Sequence, residues 1–415
     1  MDFIICDALC GAGKTVASIN MINEDKASKF LFITPYLTEV NRIESACQIQ
    51  SFMAPQRSWS KTKGEMFREL ITEGINIAST HALFSTLNEE DKRAISEQGY
   101  TLILDEVLDM FDMIDLADSD IKLLEDSNNI KCNDNGEIEW VNESYDFGRF
   151  SDIHKASESH TLVRYSKGFY FWQIPMDIFT CFKRVIVLTY MFEYQPLRYF
   201  LQVHNIPYSF IGVKPSGGTY RFCPISEMDR RRDYRSLIEI VTRNKYNAIG
   251  ADNYTLSSGW YKREAKKGNN GKLPFLKKQI RNVMSYWLEA KADDIMWTTY
   301  IAHRGRLRGK GYITNFVPFN MRATNDFATK HCLAYCINLY MQPWIKNYLM
   351  KIGATNVNED MYALSLLIQW IFRSAIRKGE KVRIYIPSAR MRYLLSEWIE
   401  NLYKGEDLKE IRYVS

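Results

Sequence analysis

The sequence predicts an α/β protein whose parallel sheets are covered by helices, and three observations carry that expectation. Short, nearly continuous apolar runs of strand length recur, with helix-compatible stretches between most of them. The first run empties directly into a glycine-rich turn, and a second apolar, helix-like stretch follows the turn. At 415 residues the chain is long enough for two or three domains with substantial cores.

Taken in order, the β-rich runs before residue 190 are Phe3–Cys6, Phe30–Thr34, Ile75–Ser79, Leu102–Leu104 and Arg184–Leu188. A parallel sheet built from them would present functional groups at the carboxyl ends of its strands. Between Ala117 and Tyr165 the pattern breaks into DSNNIKCNDNGEIEWVNES, polar, acidic and turn-rich, which predicts a surface insertion over 117–165 with a hairpin in it. Pro196, Pro207 and KPSGG (214–218) mark 196–225 as an interdomain connection. The first domain is then expected over 1–195 and the second over 226–415. In the second, DRRRDYRSLIEIV reads as helical, and 260–278 as a basic loop. Residues 295–300, 312–319 and 381–387 read as strands, and 328–350, 359–378 and 388–403 as helices.

Hydrophobic residues make up 46% of the chain and charged residues 25%, the balance of a globular soluble protein. No apolar run approaches the roughly 18 residues of a membrane-spanning helix. The N-terminus carries Asp2 and Asp7 rather than a basic leader, so a cytoplasmic location and no membrane partner are expected. The eight cysteines form no Cys-x-x-Cys pair and read as reduced thiols. Charge is unevenly spread. Residues 1–150 hold 13 Lys and Arg against 27 Asp and Glu, whereas residues 151–415 hold 41 against 22. The basic later part is suited to a polyanion such as nucleic acid.

The glycine turn, Ala8-Leu9-Cys10-Gly11-Ala12-Gly13-Lys14-Thr15, has the form of a phosphate-binding loop with Ala8 in place of the usual first glycine. Backbone N–H groups at the start of the following helix would cradle phosphate. Lys14 would reach the β- and γ-phosphates of ATP, and the Thr15 hydroxyl would hold Mg²⁺. TLILDEVLDMF (101–111) supplies complementary chemistry, since Asp105 and Glu106 emerge side by side at a strand end. Asp105 suits Mg²⁺, and Glu106 suits the water that attacks the γ-phosphate. HRGRLRGKGY (303–312) alternates Arg304, Arg306, Arg308 and Lys310, so an extended chain would put all four on one side, flanked by Trp297, Tyr300 and Tyr312 for base stacking.

With both motifs in place, the sequence resembles the superfamily 2 (DExD/H-type) helicases, in particular the short DEAD/DEAH-box-like helicases of bacteriophages, over most of the chain at motif level. The resemblance implies two tandem RecA-like domains, an acidic insertion in the first and a basic elaboration in the second, with ATP in the cleft between them. It places nucleic-acid contacts at ITPYLTEVNRI (Thr34, Pro35, Tyr36), at ASTHALF (Thr80, His81) and at FNMRATND (Arg322, Thr324), and a coupling hydroxyl at Thr189. LIQWIFRSAIRKGEKVRIYIP resembles the arginine-finger motif, with Gln369, Arg373 and Arg377 on one i, i+4, i+8 stripe if the segment is helical throughout. The implied activity is ATP hydrolysis that drives movement along, or unwinding of, DNA in phage replication, recombination or repair. Single-stranded or tailed DNA is favoured over RNA, and replication or recombination proteins are expected partners. The competing readings are a phosphate-loop nucleotide kinase or packaging-type ATPase, and a nucleic-acid-binding scaffold without turnover.

Overall fold

The computed structural model describes residues 1–47, 49–145, 148–229, 231–321, 326–405 and 411–413. The chain divides into two units, Met1–Met228 with Trp344–Thr355, and Asp229–Pro343 with Asn356–Ser415.

The first unit opens with β1 (Asp2–Asp7), β2 (Phe30–Thr34), β3 (Phe52–Met53), β4 (Asn76–Thr80) and β5 (Thr101–Asp105). Next come β6 (Phe111–Ile114), β7 (Ile130–Cys132), β8 (Glu137–Trp140), β9 (Thr161–Ser166) and β10 (Phe169–Gln173). The unit continues with β11 (Arg184–Thr189), β12 (Ser209–Ser216) and β13 (Thr219–Pro224). An eight-stranded sheet runs β13-β12-β1-β11-β5-β2-β4-β3 and is parallel apart from the β12–β13 hairpin. The expected α/β class with parallel sheets is the class observed.

The strand residues alternate between two cores, as a period of two requires. Phe3, Ile5, Leu31, Ile33, Leu102 and Leu104 bury on one face. Cys6, Phe30, Phe32, Ile103, Ile186 and Leu188 bury on the other. Full burial of such side chains contributes about 1.5–3 kcal/mol each. Helix α1 (Lys14–Glu24) packs Ala17, Ile19 and Ile22 into the second core.

Residues 196–225, read from their prolines and glycines as a connection, are ordered parts of this unit. Pro196 starts the helix Pro196–Val203, where its missing N–H leaves no bond unmade. Gly217 and Gly218, at φ 58° and 78°, make the two-residue turn that pairs Ser216 with Thr219 across β12 and β13. The acidic insertion likewise holds more than a hairpin. Strands β6 to β10 form a five-stranded antiparallel sheet in the order β6-β10-β9-β8-β7. One face packs Leu116, Ile121, Leu124, Ile130, Ile138, Phe150, Leu162 and Tyr170 into a separate core. The other face holds Val163 and Phe171 against Tyr348 of the helix Pro343–Lys351.

The second unit is built on β14 (Ile238–Ile240), β15 (Ile295–Thr298), β16 (Cys332–Tyr335) and β17 (Val382–Tyr385), parallel and ordered β14-β17-β16-β15. Five expectations fail here. The stretch 260–278, expected as a basic loop, holds the helix Ser258–Lys266, a 3₁₀ turn and most of the helix Leu273–Arg281. The segment expected as a 328–350 helix divides into β16, fully buried, and the helix Pro343–Lys351. Among the described residues of 229–241, expected as helical, no helix forms, and the chain instead enters β14 beside β17. Residues 312–319 contribute only a bridge, Phe316 to Trp297. The helix Glu359–Ile371 stops short of the expected 378, and a 3₁₀ turn, Ala375–Lys378, closes on Gly379 at φ 77°.

Candidate nucleotide site at the glycine-rich loop

β1 delivers Asp7 to the carboxyl edge of the sheet, where its carboxylate accepts hydrogen bonds from the Met191 and Phe192 N–H groups at 2.8 and 3.0 Å. Burial raises the Asp7 pKa in spite of those two bonds. The Ala8 N–H donates to the Thr189 carbonyl at 3.1 Å, so the root of the loop is pinned to the end of β11. Gly11 and Gly13 sit at φ 81° and 90°, in the left-handed region that lets the backbone curl at the start of α1. Ala8 does not share that conformation, which is why alanine is tolerated at the first position. The Lys14 ammonium donates to the carbonyls of Ala8 (2.6 Å) and Leu9 (3.1 Å), which holds it across the loop.

Opposite stands the end of β5. The Thr15 hydroxyl lies 3.4 Å from Asp105 Oδ2. That is longer than the O–H···O optimum of about 2.8 Å. Burial, then the charge of Glu106, pushes the Asp105 carboxyl up to about 7, against the pull of the Lys14 ammonium. Glu106 itself takes φ 69°, and its N–H donates to the Leu188 carbonyl at 3.0 Å. A non-glycine residue there costs about 1 kcal/mol. The turn it makes ends the strand immediately beyond Asp105 and keeps both carboxylates at one edge. The donor set fits a magnesium nucleotide: left-handed glycines at a helix start suit phosphate, and a hydroxyl with a carboxylate suits a hard divalent cation.

β11 lies between β1 and β5, so Thr189 ends the strand separating the loop from the acidic pair. Its hydroxyl is buried and accepts from Gln195 Nε2 at 3.0 Å, and the same amide donates to the Tyr190 carbonyl at 2.8 Å. Thr34 and Thr80 are register partners at the ends of β2 and β4. The Thr34 hydroxyl is buried without a hydrogen-bond partner, and Pro35 and Tyr36 are half-buried just beyond it. Thr80 caps the short helix His81–Phe84, and His81 Nε2 lies 3.2 Å from the Asp105 carbonyl. The structure therefore brings Lys14, Thr15, Asp105, Glu106, His81, Thr80 and Thr34 to one edge of one sheet.

Two participants have no signal in the local sequence. Gln195 orients Thr189 from the following loop. Tyr220 of β13 lays its ring against the loop so closely that a Cβ on Gly13 would come within 2.2 Å of ring carbon Cγ. Asn20 of α1 fixes that strand by donating to Thr219 Oγ1 and the Tyr220 carbonyl at 2.7 and 2.8 Å. The hairpin is remote in sequence and adjacent only in the fold.

In the second unit, Arg304, Arg306, Arg308 and Lys310 are exposed, but a 3₁₀ turn and the helical turn Arg304–Leu307 replace the expected extended chain. Their flanking Trp297 and Tyr312 are 0% and 1% exposed, so neither offers a face for stacking. Arg322 and Thr324 lie outside the described residues. Gln369 is half-buried near the end of the helix Glu359–Ile371, Arg373 is buried beyond that end, and Arg377 is exposed in the following turn. The three do not form a stripe on one helix.

Comparison with known proteins fits these boundaries. A family model described as the YonV middle domain matches residues 112–172, the span of the antiparallel sheet. One described as the YonV C-terminal Rossmann-like domain matches 232–399, which holds β14 to β17. Among solved structures, the chain is similar to an XPD helicase (TM-score 0.44, 11% identity, 98% of this chain and 95% of that one). It is also similar to Xpd4 of S. tokodaii (TM-score 0.49, 11% identity, 100% and 96%). It is 36% identical, over 96% of its length and 98% of the other's, to the SPbeta prophage-derived protein YonV of Bacillus subtilis (strain 168). On that identity and coverage, the chain belongs to the YonV family.

Proposed function

We propose that this protein is an ATP-driven nucleic-acid translocase of the superfamily 2 helicase type, working on a single strand or a tailed duplex of DNA. The observation that carries the reading is the meeting of Thr15 with Asp105 at 3.4 Å across an edge where Lys14 spans the glycine loop. A phosphate loop alone serves kinases and scaffolds equally well; a strand-end carboxylate pair facing it serves hydrolysis.

In this reading the loop N–H groups and Lys14 bind and orient the β- and γ-phosphates. Thr15 and Asp105 hold Mg²⁺, which when bound neutralises charge on those phosphates. Glu106 takes the proton of the attacking water. Arg373 and Arg377 are the second unit's candidates for the charge that stabilises the transition state, and Gln369 is its candidate neutral hydrogen-bonding group. The strand ends bearing Thr34, Pro35, Tyr36, Thr80 and His81 are candidates for nucleic-acid phosphates. The contact of His81 with the Asp105 carbonyl offers a short route by which a bound strand could influence the hydrolytic edge, and Thr189 another.

Strand displacement on 3′- and 5′-tailed duplexes of DNA and RNA, with ATP present or withheld, tests the reading and sets the polarity. Displacement independent of ATP contradicts it. An arginine finger is worth about 10³–10⁵ in rate. Arg373 keeps the motif spacing, so Arg373→Ala should cost more turnover than Arg377→Ala at similar nucleotide affinity. The reverse order would hand the role to the exposed arginine.

A further inference from the structure

Burial of Trp297 and Tyr312 leaves half-buried Tyr300 as the one remaining ring of the three expected beside the basic stretch 304–310. The same region of the second unit supplies others. The helix Leu273–Arg281 runs without a break into a π-helical segment, Asn282–Trp287. A π turn inserts a residue and shifts the phase of the side chains that follow, and such segments cluster at functional sites. Here Val283 and Met284 stay in the core while Tyr286 and Trp287 turn outward, 67% and 37% exposed. The Arg243 guanidinium stacks 3.4 Å from the Trp287 ring centre. Tyr246, with Lys245 above its ring, lies 6.3 Å from Trp287.

This aromatic group and the basic stretch adjoin one another. Tyr312 Oη donates to the Leu307 carbonyl at 2.7 Å and lies 3.5 Å from the Lys277 carbonyl, so the loop is seated on the helix. Ser285 stands beside Gly311. Arg243, Lys277, Arg281, Arg304, Arg306 and Arg308 are exposed. Neighbouring ion pairs use other cations, Lys267 with Glu264 and Lys381 with Glu239; Arg243 and Arg304 lie over the rings of Trp287 and Phe316, and Lys277, Arg281, Arg306 and Arg308 face solvent.

We propose that Tyr286 and Trp287, with the cations of 277–281 and 304–308 beside them, form a binding surface for single-stranded nucleic acid, the rings stacking bases and the cations following phosphates. Charge complementarity requires a polyanion. Two exposed rings flanked by cations select one with unpaired bases, because duplex bases are already stacked and an acidic peptide offers no matching planar faces. The proposal rests on the translocase reading only for the choice of ligand.

The test is equilibrium binding of a fluorescent oligothymidylate to the full chain across a salt series, with basal ATPase measured alongside. Tyr286→Ala should weaken binding about tenfold with the salt slope unchanged, and Tyr286→Phe should restore it, as stacking demands. Lys277→Gln with Arg281→Gln should instead shallow the slope of log K against log salt by about 1.4, at about 0.7 per single-strand phosphate contact. Basal ATPase should stay at the wild-type level in all three. Unchanged affinity in Tyr286→Ala overturns the surface, and so does competition by polyglutamate equal to that by oligothymidylate. The two readings fail separately. If oligothymidylate stimulates wild-type ATPase while Tyr286→Ala binds normally, only the surface falls; if the oligonucleotide binds as predicted without stimulating hydrolysis, only the translocase reading falls.

Discussion

Gly13 combines a φ of 90° with a Tyr220 ring lying where its side chain would be. Gly13→Ala therefore meets two obstacles, the left-handed conformation at about 1–2 kcal/mol and the aromatic contact. The variant should melt several degrees lower and bind nucleotide poorly. Adding Tyr220→Ala should recover part of the melting temperature, because only the contact is relieved. If the double variant melts no higher than Gly13→Ala alone, the ring is not what the new methyl meets. At this scale the sequence was a good guide wherever the chemistry is contiguous: Lys14 and Thr15 follow the glycines directly, and Asp105 and Glu106 end an apolar run. Tyr220 and Gln195 escaped because no local pattern marks a residue that reaches the loop only through sheet order.

Elements were legible in proportion to how local their determinants are. β1, β2, β5 and β11 announce themselves as apolar runs between polar ends, and α1 follows its glycines. β16 did not, since Cys332 and Cys336 mimic helical spacing while the segment is buried between β15 and β17. The antiparallel sheet of 111–173 was hidden by acidic, turn-rich loops that outnumber its short strands. Beside β16, His331 bridges two carboxylates, Asp294 to Nδ1 at 2.7 Å and Glu380 to Nε2 at 2.8 Å. Burial opposes its charge, but the two hydrogen bonds outweigh burial and raise its pKa above 6.5. A raised folded-state value means that the protonated imidazole stabilises the fold. The contribution is complete below the unfolded pKa and disappears as pH rises through the folded one. Denaturant midpoints should thus fall as pH rises from about 6.5 through the raised folded-state value in the wild type, and fall less in His331→Asn. Equal falls in both would show that this triad does not set the pH response.

For the whole molecule, the sequence conveyed the α/β class and the division of charge, acidic in residues 1–150 and basic beyond, because both are sums over many residues that single errors do not disturb. It did not convey which aromatics face solvent in the basic region: Trp297 and Tyr312 are core, while Tyr286 and Trp287 emerge from a π-helical turn that no periodicity foretells. In the proposed function, the glycine-loop edge couples hydrolysis to a nucleic-acid strand. The most direct measurement is steady-state ATP turnover, with and without single-stranded DNA, in wild type and Glu106→Gln, alongside ATP binding to both. DNA should stimulate the wild type, and Glu106→Gln should still bind ATP but turn over at least about a hundredfold more slowly with or without DNA, since a general base is worth about 10²–10⁴. Near-normal turnover in Glu106→Gln, or a wild-type rate indifferent to DNA, would contradict that function.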